Sequence, residues 1–375
     1  MASDNYNILD HSALERMLPS IGETYGDRMR GRILVQELLN DIKRERGELP
    51  ADLHITRMCG ALVAVSEGQV LKVTHTKMRY CPLASSLYDQ MKHCEECGLE
   101  SMKQDIAASV GSKILRFGHF TERRELMRCD IAIPFGASEM LMYALNKKGV
   151  DAAVTVCDGA GTVITEEPKL VQGIGARMNG IFHTSPVNDV IRTITQLQGC
   201  VLSPPTATID QISGVRKAIQ LGYKRIAVTI NGFAGENLID VRKLEKETGS
   251  SITVLVVCTT GLEKERAEEI ERYADLVWSC ASIHVRDTIG KKAIIQIGVK
   301  IPAFVLTQKG TTFVANYASP KFESNVEEGK KYVIMGHPRE KLHNFKRIRM
   351  GNFDTYLGEI DQLPLRVDDE PRPLI

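Results

Sequence analysis

Ile226-Ala227-Val228-Thr229-Ile230-Asn231-Gly232, a helical pattern over 236–248, and then Ile252-Thr253-Val254-Leu255-Val256-Val257-Cys258 make up the most regular part of the chain. Two near-continuous apolar runs rich in β-branched residues, separated by a helix-length segment, predict parallel strands with a crossover helix. The pattern extends both ways. Ile131-Ala132-Ile133-Pro134-Phe135 and Ala152-Ala153-Val154-Thr155-Val156 precede it, and Leu276-Val277-Trp278 and Ala303-Phe304-Val305-Leu306 follow, with helical spacing over 138–147, 211–221 and 262–273. Crossovers are right-handed and cover a face. The expected fold class is α/β, an open parallel, Rossmann-like doubly wound sheet over 129–318.

Around this unit the patterns differ. Leu14, Met17, Leu18 and Ile21, then Ile33, Leu34, Leu38, Leu39 and Ile42, recur at three and four and predict a helical N-terminal extension over 1–50. Within 51–128, Ala61-Leu62-Val63-Ala64-Val65 and Val70-Leu71-Lys72-Val73 predict a hairpin that leads into a small cysteine-bearing helical segment. Alternation fails over 319–375, which reads as a polar C-terminal tail or arm.

Lys and Arg total 48 against 47 acidic residues among 375, so no global field recruits nucleic acid or an anionic membrane. No run of about eighteen apolar residues predicts a membrane span. Nine cysteines scattered along the chain fit a reducing compartment better than a disulfide framework, and the expected location is cytoplasmic. Homo-oligomerisation is only the default expectation.

Cys81, Cys94 and Cys97 fall within seventeen residues with spacing C-x12-C-x2-C. The close pair can fold round one metal ion, with the third thiol approaching across a helix-length segment. Three thiolates suit a [4Fe-4S] cluster with one open iron. A structural zinc site would need a fourth ligand, with His75 or His93 as candidates. Buried reduced thiols and a Cys-x-x-Cys redox pair are the alternatives.

Ligands of open parallel sheets bind beyond the carboxyl ends of the strands. Those ends read Gly136-Ala137-Ser138-Glu139, Cys157-Asp158-Gly159-Ala160-Gly161-Thr162, Asn231-Gly232, Cys258-Thr259-Thr260-Gly261 and Ser279-Cys280-Ala281-Ser282. Cys157, Cys258 and Cys280 meet on one edge if their strands are neighbours. Ser138, Gly159, Gly161 and Thr162 would offer free amides and hydroxyls to a small anion, Arg177 would clamp it, and Asp158, Glu139 and His183 are the candidate proton carriers. No Walker or dinucleotide fingerprint is present.

Tyr80-Cys81-Pro82-Leu83, Phe135-Gly136-Ala137-Ser138-Glu139, the run from Val154 to Ile164 on to Gln172-Gly173-Ile174-Gly175, and Cys280-Ala281-Ser282 give the chain a resemblance over about residues 55–315. It resembles methanogenesis marker protein 8, an archaeal family with no assigned reaction. The resemblance implies a link to methanogenesis or a neighbouring anaerobic process. Two functions are therefore expected. One is an iron–sulfur-dependent enzyme of anaerobic cofactor or sulfur metabolism, a lyase or sulfur-transfer enzyme, acting on a small anionic molecule. The other is a non-catalytic assembly or maturation factor that binds a protein of the methanogenic machinery through a domain held by a structural metal.

Overall fold

The computed structural model describes residues 26–91, 99–320, 322–337 and 342–375. Cys94, Cys97, His93 and the first part of the expected N-terminal helix lie outside them. Helix α1 (Gly26–Arg46) turns Val35, Leu38, Leu39 and Ile42 inward. Strands β1 (His54–Met58), β2 (Ala61–Ser66) and β3 (Gln69–Val73) pair antiparallel, and β2 is buried along its whole length. Leu62 and Ala64 share a core with α1, whereas Ala61, Val63 and Val65 pack under α2 (Pro82–Leu87) and α3 (Leu99–Phe117) through Ala84, Met102, Ile106 and Val110. Burial on both faces explains why this antiparallel strand reads as an unbroken apolar run.

The chain continues through α4 (Ala137–Asn146), β4 (Ala152–Cys157), β5 (Gly161–Thr165), α5 (Pro168–Gly175) and β6 (Gly180–Thr184), which returns to pair antiparallel with β1. Next come α6 (Asn188–Gln196), β7 (Cys200–Val201), α7 (Gln211–Gln220), β8 (Arg225–Asn231), α8 (Leu238–Thr248), β9 (Ser251–Val257), α9 (Lys264–Tyr273) and β10 (Leu276–Trp278). The last elements are β11 (Ile295–Ile297), β12 (Ala303–Val305), α10 (Gln308–Ala315), β13 (Lys331–Met335), β14 (His343–Met350) and β15 (Phe353–Ile360).

The eleven described strands of the large sheet run β14-β15-β13-β11-β12-β10-β9-β8-β4-β5-β7, and the four-stranded antiparallel sheet runs β3-β2-β1-β6. This corrects the expectation of an open parallel Rossmann-like sheet. Only β4-β8, β8-β9, β9-β10 and β11-β13 pair in parallel, and the other pairings of the large sheet are antiparallel. Three local causes account for the difference. After β4 the chain reverses at once through a tight turn, with Gly159 at φ +79° and Gly161 at φ +70°, so β5 returns beside β4. The link from β11 to β12 is far too short for a crossover helix, which forces antiparallel pairing.

The third cause is the stretch 319–375, read as a polar tail or arm, which supplies β13, β14 and β15. Ile334 and Leu357 join one core and Val333 and Met335 another, while β14 carries its exposed charges at the sheet edge. Ile131 to Phe135 is no strand, because its backbone groups bind side chains instead of a ladder. Glu139 accepts from the amides of Ala132 and Ile133, and the carbonyls of Pro134 and Phe135 take the Tyr317 hydroxyl and the Trp278 indole N–H. Among the described residues no helix is long and apolar enough to cross a membrane.

Candidate functional site

The carboxyl ends of β8, β9 and β10 open on a cavity of about 660 Å³, whose far wall is the turn between β1 and β2 together with the start of α2. Four thiols reach its wall: Cys59 from that turn, Cys81 at the head of α2, and Cys258 and Cys280 beyond β9 and β10. Neighbouring strands bring Cys258 and Cys280 to the same edge, as their positions in sequence predict. Cys157 stays apart, because β8 separates β4 from β9 and its side chain is sealed in a different core with Leu170 and Ile174. Burial pushes its thiol well above the ordinary range.

The four cavity thiols are not equivalent. A hydrogen bond from Cys59 to Cys81 lowers the Cys81 thiol to about 7 against the opposing effect of burial, with the Ala84 and Leu83 amides adding to the stabilisation. Burial and the neighbouring Cys280 push Cys258 up to about 12, so this thiol remains neutral. Cys59, Arg177 and Cys258 all hold left-handed backbone, at φ +49°, +61° and +59°. Such conformations cost roughly 1–2 kcal/mol each for a residue with a Cβ, and all three line this cavity.

Ser138 and Glu139 begin α4 and line the cavity, but Glu139 is fully engaged. One of its carboxylate oxygens accepts from Ala132, Ile133 and Gln172, and the other accepts from the Ser138 hydroxyl at 3.0 Å. It shapes the 131–139 segment, with three of its four accepted hydrogen bonds on one oxygen. Arg177 lines the cavity with its guanidinium 3.3 Å from Asp130 and its plane over Phe117. Asp158, Gly159, Gly161 and Thr162 are away from it. They form the β4-β5 turn, and no helix begins there, so the expected amide cradle for an anion does not exist. Asp158 is buried against Arg124 at 2.9 Å. His183 sits on β6 opposite Ile55 and is not on the cavity wall.

Sequence reading missed Cys59 and Lys113, and placed Asn231 at a strand end without giving it a role. Cys59 precedes Gly60 at a strand reversal, a position that favours the left-handed backbone found there and was the one available signal. Lys113, on α3, is 4% exposed. Its ammonium donates to Asn179 Oδ1 and lies 5.2 Å from the Tyr88 ring centroid. Burial pulls it down to about 8 from 10.5, a shift that the Cys59 and Cys258 sulfurs resist. The folded state therefore binds fewer protons than the unfolded chain between pH 8 and 10.5, and this lysine's contribution to stability rises with pH across that window. At pH 7 it costs about 3 kcal/mol. Lys113→Met is expected to be more stable than the parent at pH 7, with the gap closing by pH 10.5 in urea denaturation series. A variant less stable at pH 7 would contradict this account.

For the metal expectation, Cys81 is the only member of the trio among the described residues, which hold no group of three or more His, Cys, Asp or Glu side chains placed for a metal. The donor chemistry at Cys81 fits a soft metal. Its thiolate is favoured near neutral pH, a second thiol touches it, and two more share the cavity.

An uncharacterized protein of Methanocaldococcus jannaschii, MJ0054, is 37% identical over 327 residues, covering 86% of this chain and 100% of that protein. The model of an archaeal family described as an uncharacterized protein conserved in archaea, DUF2099, matches residues 54–319, a span that contains all four cavity thiols, Lys113 and Asn231. With most of its length matched by that model and a close relative aligned end to end, the chain belongs to the DUF2099 family.

Proposed function

We propose that the chain is an iron–sulfur-dependent enzyme of anaerobic cofactor or sulfur metabolism, acting on a small anionic molecule in the thiol-lined cavity. The observation that carries this reading is the cavity itself. It places a readily ionised Cys81 and three further thiols beside a buried cation at the carboxyl ends of three adjacent parallel strands. The resemblance to methanogenesis marker protein 8 and the relative in Methanocaldococcus jannaschii support an anaerobic archaeal setting.

Cys81, with Cys94 and Cys97, would hold the cluster, and a bound [4Fe-4S] group with an open iron supplies Lewis acidity or a site for sulfide. The protein's own contributions follow from the cavity wall. Met58, Met78, Met178 and Leu87 exclude water from the reacting end. Cys258 stays protonated and is able to donate a proton, and Cys59 holds the Cys81 sulfur in place by hydrogen bonding. Glu139 fixes the 131–139 segment against Trp278, so that the substrate meets a preformed wall.

Iron and acid-labile sulfide are measured on strictly anaerobic protein and on Cys81→Ala, Cys94→Ala and Cys97→Ala. About four irons and four sulfides per chain are expected in the parent, with loss in each variant. One zinc without sulfide would replace this reading with a structural metal and an assembly role, and no metal in the parent would overturn both.

A further inference from the structure

The cavity is lined by four basic side chains among the described residues, and three of them are already engaged. Arg177 is paired with Asp130 at 3.3 Å, and Lys300 is paired with Asp369. Arg57 donates to the carbonyls of Gly60 and Thr260 at 3.2 and 2.8 Å and stacks 3.7 Å over the Phe233 ring. Lys113 differs. It is the most deeply buried of the four, and its bonded neighbours are the neutral Asn179 amide and the Tyr88 ring, with no carboxylate. A buried ammonium without a counter-charge is expensive unless a ligand supplies one.

A second group points to the same place. The Asn231 side-chain oxygen accepts from the Phe233 and Ala234 amides at 3.0 and 3.2 Å, which settles its orientation and turns the amide nitrogen the other way. That nitrogen is buried and has no hydrogen-bond partner. It borders Gly180, where a Cβ would stand 3.0 Å both from it and from the Cys258 sulfur. Gly180 directly follows Asn179, the residue that Lys113 holds, so a cation without a counter-charge and an amide donor without a partner flank one short segment, 179–180, on the wall of one cavity.

We propose that Lys113 and Asn231 form the carboxylate-binding pole of this cavity, and that its ligand is a monocarboxylate with an apolar body. One cation and one neutral N–H donor match the two oxygens and single charge of a carboxylate. A phosphate monoester, with about two charges and three acceptor oxygens, would leave about half of its charge and at least one oxygen unanswered. The remaining wall, with Met58, Met78, Met178 and Leu87, takes an apolar body. This deepens the proposed function by naming the substrate's class, and it rests on the cavity as substrate site rather than on the cluster.

The test is calorimetric titration of anaerobic full-length protein with octanoate, octanol and octylamine, together with the emission of Trp278, the chain's single tryptophan, which lies on the cavity wall. Octanoate is expected to bind at least about tenfold more tightly than octanol, with octylamine weaker still, and to change the Trp278 emission. Lys113→Met and Asn231→Asp are each expected to lose about tenfold for octanoate while leaving octanol unchanged. Equal affinity for acid and alcohol in the parent overturns the proposal whatever the variants do. So does undiminished octanoate binding by folded Lys113→Met. Iron measured on the same samples separates the two readings: acid selectivity without iron removes the cluster and keeps the carboxylate pole, and iron without selectivity does the reverse.

Discussion

Arg124→Met is expected to lose roughly 3–5 kcal/mol of stability, enough to leave a large unfolded population at moderate temperature. The Asp158 carboxylate is fully buried, and Arg124 Nε reaches its oxygens at 2.9 and 3.1 Å. The same guanidinium donates to the carbonyls of Gly173 and Ile174 at the end of α5, and the Phe120 amide donates to Asp158 at 2.6 Å. Removing Arg124 strands a charge and two carbonyls in the interior. Arg124→Met combined with Asp158→Asn is expected to recover part of the loss, because the stranded charge is then gone.

The pH dependence carries the sign of this pair. Burial by itself would raise the Asp158 carboxyl, but the Arg124 charge and the hydrogen bonds from Arg124 and the Phe120 amide outweigh it and hold the folded-state value below the ordinary one. His119 itself stays neutral, depressed by burial and by Arg124. A depressed carboxyl contributes stability above its unfolded value of about 3.9 and loses it as pH falls through the lower folded value. Denaturant midpoints of the parent should therefore fall on acidification below pH 4, whereas those of Arg124→Met should rise on acidification from neutral pH down to about pH 4, as the orphaned carboxylate takes a proton in the folded state. An Arg124→Met variant within about 1 kcal/mol of the parent would show that this buried pair is dispensable.

Gly118→Ala is expected to cost about 2–4 kcal/mol in the same assay. Gly118 ends α3 at φ +66°, with its amide donating to the Ile114 carbonyl, and a Cβ there would stand 2.1 Å from the Arg123 carbonyl oxygen. Backbone on both sides of the contact leaves no flexible side chain to yield. The loop it starts carries His119, Phe120 and Arg124 to Asp158, so the damage would spread to the buried pair. Gly111→Ala is the control. Gly111 lies inside the same helix with open space around its Cβ position, and alanine there should add up to about 1 kcal/mol. Similar effects at the two positions would refute the steric explanation.

Much of the element list was legible in the residues. The apolar runs of β4, β8, β9, β10 and β12 and the helical spacing of α4, α7, α8 and α9 follow from periodicity, which is local. Strand direction is not local. Whether a run pairs parallel or antiparallel depends on what lies between runs, and Asp158-Gly159-Ala160-Gly161 was read as an anion loop when it is the turn of a hairpin. The same limit governs the site. Cys258 and Cys280 were visible as strand ends, and their adjacency follows from neighbouring strands. Lys113 was not visible, since a lysine carries no local sign of burial, and only the packing of α3 in the folded chain encloses it. Asp158 and Glu139, the residue types best suited to proton transfer, are consumed by Arg124 and by backbone amides, and no sequence pattern announces that.

The cavity has one wall made by residues 57–60 and 81–88 and another made by residues 231–236, 257–260 and 278–281. Some two hundred positions separate the partners, so closing this pocket requires one of the longest loops in the chain, and the entropy of that closure is recovered only after both sheets have formed. The parallel strands β8, β9 and β10 assemble from near neighbours, whereas the docking of the small sheet over their ends joins distant parts of the polypeptide. The pocket is thus expected to form late in folding. Until that docking occurs, Cys59 and Cys81 are apart from Cys258 and Cys280, and the growing chain in the cell presents its thiols in separate pairs rather than as one reactive group.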